Sequence, residues 1–104
     1  MSPIRYVNRR HAIEHILRHM IPAAPPHELS EVLGHALSSA GLKRATPEKA
    51  AWLSLVAYLR HSYTDYDQLL AEGYGIEAAR HFCSRQINEV LAAWECRRKL
   101  GGKD

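Results

Sequence analysis

The chain has 104 residues, 46% of them hydrophobic, with 14 Lys plus Arg against 11 Asp plus Glu, a net charge of +3 and a pI near 9.1. That length supports one hydrophobic core and excludes two independent ones. No apolar run approaches the roughly 18 residues needed to cross a bilayer, and the N-terminal MSPIRYVNRRH lacks the apolar centre of a signal peptide, so the expected compartment is the cytoplasm, with no membrane association.

Residues 1–8 show no clear period and read as an N-terminal extension, 9–99 as a single helical domain, and 100–104 as a C-terminal tail. Asn8 is a suitable N-cap for a first helix from Arg9 to about Met20, ended by Pro22. Ile13, Ile16, Leu17 and Met20 make its inner face, and His11, His15 and His19 recur every four residues on the other side. A histidine pair at that spacing can chelate a metal. A firm site needs three or four ligands, however, and neither cysteine nor carboxylate here shows ligand spacing, so the stripe reads as solvated and no metal or other cofactor is expected.

The stiff PAAPP loop leads into a second helix from about Pro26 to Ala40, with Leu29, Val32, Leu33, Ala36, Leu37 and Ala40 facing inward and Gly41 as its stop. Gly34 inside it suggests close approach of a neighbouring helix. Thr46, Pro47 and Glu48 then announce a third helix by a hydroxyl cap, a proline at the first position and an acid in the first turn. Trp52, Leu53, Leu55, Val56, Ala57 and Leu59 are apolar almost all round, which marks this helix as the central post, running to His61 or Ser62.

Thr64 is placed to cap a short fourth helix, Asp65 to Ala71, with Asp67 as a short capping-box partner and Gly73 as the stop. The last and longest helix opens at Gly75 and Ile76 and is expected to reach about Lys99, ahead of Gly101 and Gly102. If both cysteines lie on it, Cys83 and Cys96 are separated by roughly 20 Å of helical rise, which excludes a disulfide between them. Cys83 falls on the apolar stripe and reads as a small buried hydrophobe. No stretch alternates with period two, so the fold class is all-α: a compact bundle of about five helices with a central third helix and a long C-terminal one.

Arg80 stands in the middle of the last helix's inner stripe of Ile76, Ala79, Cys83, Ile87, Val90, Leu91 and Trp94. A guanidinium cannot shed its charge, so Arg80 is expected to cross to Asp67, or failing that Asp65, and to tie the last two helices under the end of the third. In that arrangement Asp67→Ala would strand Arg80, at a cost of about 3 to 5 kcal/mol.

The polar run that closes the third helix is the densest group of functional side chains in the chain. The strings Ala57-Tyr58-Leu59-Arg60-His61, Thr64-Asp65-Tyr66-Asp67, Leu69-Leu70-Ala71-Glu72-Gly73 and Ala78-Ala79-Arg80, with the closing Ile87, Val90, Leu91 and Trp94, resemble the bacterial and fungal domain of unknown function numbered 2293, over about residues 9 to 98. The resemblance implies a small helical domain and directs attention to Arg60, His61, Thr64, Tyr66, Asp67 and Arg80. It implies no activity.

Three functional readings stand at this point. The chain has no nucleophile elbow, glycine-rich phosphate loop or carboxylate pair that would name a reaction, which favours a non-catalytic binding or adaptor module acting through a protein partner or a basic surface. Arg5, Arg9, Arg10, Arg97, Arg98 and Lys99, clustered towards the two ends, form a candidate nucleic-acid-binding set. An anion-handling enzyme could instead use Arg60 and Arg80 to grip a phosphate or carboxylate, with His61 beside an aspartate as general base. Phe82 lies off the inner stripe and is available for a homodimer contact.

Overall fold

The computed structural model describes residues 8–101. They form five α-helices: α1 (Arg9–Met20), α2 (Pro26–Ser38), α3 (Pro47–Tyr63), α4 (Tyr66–Ala71) and α5 (Ile76–Ala93), with a 3-10 turn at Ala40–Leu42 and no strand among the described residues. α1 and α3 begin where a side-chain oxygen can take an orphan amide. Asn8 Oδ1 accepts from the His11 N–H at 2.9 Å, and Thr46 Oγ1 accepts from the Lys49 N–H at 3.2 Å, with Pro47 at the first helical position of α3.

α3 packs on each of the other four helices. Ala50, Ala51, Trp52, Ser54, Leu55, Val56 and Leu59 are buried round its circumference, and Leu53, 42% exposed, is the main exception. In one core with it lie Ile13 and Leu17 of α1, Leu29, Val32, Leu33 and Ala36 of α2, and Ala79, Cys83, Ile87 and Leu91 of α5. Each fully buried leucine or isoleucine stabilises the fold by about 1.5–3 kcal/mol. At that size, covering α3 outweighs any one surface ion pair, which contributes about 0–1 kcal/mol.

Two expectations about α2 change. The helix stops at Ser38, and Ala40 to Leu42 tighten into the 3-10 turn instead. A Cβ built on Gly34 meets nothing within 4 Å, so this glycine does not mark a close helix approach. Arg9 secures the turn from across the bundle, its guanidinium donating to the carbonyls of Ala45 and Leu42, both at 2.8 Å.

The end of α5 also differs from the expected Lys99. Trp94 caps the helix, Glu95 adopts a left-handed conformation with φ of 63°, the Glu95 N–H donates to Ala92 O at 3.0 Å, and the Cys96 N–H donates to Leu91 O at 2.8 Å. That pair of bonds is a Schellman closure, normally built on glycine. Cys96 therefore sits beyond the helix rather than on it, and both cysteines are free. The chain then turns back, and Asn88 clips it down: its Nδ2 donates to Leu100 O at 3.0 Å while its Oδ1 accepts from the Leu100 N–H at 2.7 Å. The folded chain thus continues through Leu100, which packs against the core.

A left-handed residue with a Cβ costs about 1–2 kcal/mol, part of which glycine returns as extra unfolded-state entropy. Glu95→Gly is expected to stabilise the protein by up to about 1 kcal/mol. That corresponds to a rise in Tm of roughly 4–8 °C for a domain of this size, measurable by calorimetry.

Candidate functional site

The corner where α3 ends, α4 turns and α5 begins gathers all six residues of the Arg-His, Thr-x-Tyr-Asp and Arg pattern. Thr64 makes the joint: its Oγ1 donates to the Arg60 carbonyl and accepts from the Tyr66 N–H at 3.2 Å, closing α3 and opening α4 with one hydroxyl. Tyr66, 7% exposed, is the platform beneath the site. The Arg60 guanidinium carbon stands 5.3 Å from the centre of its ring, and the His61 ring meets it edge-on at 5.6 Å.

His61 Nδ1 donates to both carboxylate oxygens of Asp67, at 2.9 and 2.8 Å. This bond fixes the imidazole so that Nε2 faces away from the aspartate. The pair is open to solvent, with side chains 53% and 64% exposed. Asp67 therefore serves His61 and is neither a capping-box residue nor the partner of a buried arginine.

Arg80 corrects the central expectation from the sequence. It is exposed, and among the described residues no carboxylate lies within ion-pair distance of it. On α5 the buried positions are Ala79, Cys83, Ile87 and Leu91, while Ile76, on the same stripe, is 56% exposed, so the first turns of the stripe are only partly covered and Arg80 reaches solvent. What Arg80 approaches is Arg60. Burial first, and repulsion from Arg80 second, hold the Arg60 guanidinium below its ordinary pKa. The Nε of Arg60 is buried and has no hydrogen-bond partner.

The terminal basic set divides. Arg5 lies outside the described residues. Arg9 is committed to the Leu42 and Ala45 carbonyls, Arg10, Arg97 and Lys99 are exposed, and the Arg98 guanidinium carbon sits 4.1 Å from the centre of the Trp52 ring. Of the histidine stripe, His15 and His19 stack with ring centres 4.2 Å apart, and His19 Nδ1 donates to the His15 carbonyl. No group of three or more His, Cys, Asp or Glu side chains is assembled for a metal among the described residues.

Glu28 is the residue that sequence reasoning missed. It is 8% exposed, and its Oε1 accepts from the hydroxyls of Tyr58 at 3.0 Å and Tyr63 at 2.5 Å, while the Tyr63 ring packs edge-on against Trp94 at 5.9 Å. One carboxylate thereby joins the start of α2 to the end of α3, and through Tyr63 to the end of α5. The signal was present: Glu28 lies on the same stripe as Val32 and Ala36, four and eight residues on.

Three clefts lie elsewhere, one lined in part by Ile21, Pro22 and Leu29, a second by Met20, Cys96 and Arg97, and a third by Lys49, Trp52 and Leu53. None of them includes Arg60, His61, Asp67 or Arg80. No helix among the described residues is long and apolar enough to cross a membrane.

Two predictions follow from this geometry. Because Asp67 is an exposed partner and does not neutralise Arg80, Asp67→Ala is expected to cost less than about 1 kcal/mol in a urea titration, and not the loss that a stranded buried arginine would bring. Tyr63 is pushed up to about 12 from 10.0, by its hydrogen bond to Glu28 first and by burial second. A raised phenol contributes stability that is complete below pH 10 and is lost as the pH climbs towards about 12. Tyr63→Phe should remove that segment of the alkaline loss, in denaturant titrations on either side of the window.

A family model described as "Uncharacterized conserved protein (DUF2293)" matches residues 16–95, and the chain belongs to that family. No curated protein and no solved structure matches it.

Proposed function

We propose that this member of the DUF2293 family is a non-catalytic binding module that takes an anionic group of its partner, a phosphate or carboxylate, at Arg60 and Arg80. The observation that carries this reading is Arg60, whose Nε–H is buried and unpartnered and which has no carboxylate partner among the described residues, with the charge of Arg80 near enough to help lower its pKa. Like charges held together destabilise the empty corner, and an anion between them relieves the repulsion while accepting charge-assisted hydrogen bonds. Tyr66 and Thr64 hold Arg60 in place. Asp67 orients His61, whose Nε2 side is available as a further contact.

Binding is favoured over catalysis because the His61–Asp67 pair lies open to water rather than in a cleft that would enclose a substrate. The test is an NMR titration with inorganic phosphate, following the arginine Nε–H signals. The Arg60 signal is expected to move on binding. Arg80→Gln should weaken that binding about tenfold or more, since a hydrogen bond to a charged group contributes about 1.5–3 kcal/mol, and should leave the Tm nearly unchanged because Arg80 is exposed and has no ion pair among the described residues. An Arg60 signal that ignores phosphate, or one that responds equally in Arg80→Gln, would refute the reading.

A further inference from the structure

At the other end of α3 the structure builds a second cationic surface, with different chemistry. The Arg98 guanidinium lies 4.1 Å from the centre of the Trp52 ring, and that indole is only 8% exposed. The guanidinium covers a nearly buried aromatic while Arg98 itself remains exposed. It is held there by the backbone on both sides: the Schellman turn at Glu95 reverses the chain, and the two Asn88 bonds pin Leu100. Lys49 and Leu53 line the cleft on one flank of Arg98, and Arg97 lines the neighbouring cleft on the other. Lys43 and Arg44 are exposed on the turn that leads into α3.

None of Lys43, Arg44, Lys49, Arg97, Arg98 and Lys99 has an ion pair among the described residues. Glu48, in the first turn of α3, lines the same cleft as Lys49, and these six cations outnumber it.

We infer that this face, with the Arg98–Trp52 stack at its centre, binds single-stranded nucleic acid, the exposed cations tracking the phosphate backbone and the flat face of Arg98 receiving a base. A guanidinium fixed on an indole is already ordered, so stacking a base on it costs little side-chain entropy. Bases in a duplex are paired and stacked on one another and cannot use that plane. A lipid surface fits less well. The large exposed apolar side chains Tyr63, Tyr74, Ile76 and Phe82 belong to the end of α3 and the start of α5, which leaves Leu53 alone at this face to insert among lipids.

The test is fluorescence anisotropy of a labelled single-stranded oligonucleotide with the whole chain over a range of salt. Log affinity is expected to fall linearly with log salt, by about 0.7 for each cation engaged. Arg98→Lys keeps the charge and loses the plane, so it should weaken binding about tenfold with the salt slope unchanged. Arg98→Ala should weaken it further and reduce the slope. Arg80→Gln should bind the strand as the parent does, so that failure here and failure of the phosphate site at α3–α5 remain separable.

Several results would overturn the inference: no affinity for the strand, equal affinity for a duplex of the same sequence, an Arg98→Lys variant that binds as tightly as the parent, loss of strand binding in Arg80→Gln, or binding to anionic phospholipid vesicles without binding to the strand.

Discussion

A helix that is apolar round most of its circumference has to be covered on most of its sides, and the middle of α3, with Leu53 left open, is such a helix. Leu55 and Leu59 are wholly inaccessible and Val56 nearly so, and the transfer free energy of three such side chains alone, at about 1.5–3 kcal/mol each, is comparable with the net stability of a small domain. The other helices are placed by that demand. α1 and α2 cover α3 along one side, α5 covers another, and the polar devices adjust this arrangement without creating it. Glu28 with its two phenols locks the start of α2 against the end of α3. Arg9 locks the 3-10 turn against the start of α1.

How far this could be seen in the chain beforehand is clearest at two helix ends that share one geometry. α4 closes with Gly73 at φ of 100° and bonds from Gly73 to Leu70 and from Tyr74 to Leu69. α5 closes with the same two-bond pattern on Glu95. The first end is legible because glycine is the residue that adopts a left-handed conformation without steric cost. The second is not, because a glutamate in that conformation carries no local mark and Gly101 farther on supplied a false one. Tertiary packing overrides propensity there: Trp94 lies on the core and Leu100 is held by Asn88, so the chain must turn between them.

Arg80 and Glu28 show the same limit from the opposite direction. Each is a charge on an apolar stripe, and each invites the expectation of burial with a partner. The stripe of α2 is covered at Glu28 by Tyr58 and Tyr63 of α3, whereas on α5 Ala79 and Cys83 are buried and Arg80 between them is left exposed. Periodicity tells which residues share a face and leaves open which of them the opposing elements cover. The six residues at the corner were legible as a group, since five fall within eight positions of one another. Their roles were not, because the sequence offered Asp67 more than one partner, and the structure pairs it with His61.

The cation at the end of α3 has an ordinary explanation that goes part of the way. Arg60 falls in its last turn, where a positive charge offsets the negative pole of the helix dipole. Arg80 has no such reason. It lies early in α5, whose start carries the opposite pole and where Gly75 offers no side-chain acceptor to the first amides. Two arginines and a helix start without a side-chain cap therefore meet at one corner, where Asp67 is engaged by His61 and the acid in the first turn of α5 is Glu77. Because Arg80 is exposed, water solvates its charge and stability alone does not require a partner for it. Arg60 is the more constrained of the two, its guanidinium over the nearly buried Tyr66 ring and its Nε buried without a partner, and the proposed anion at this corner rests on it.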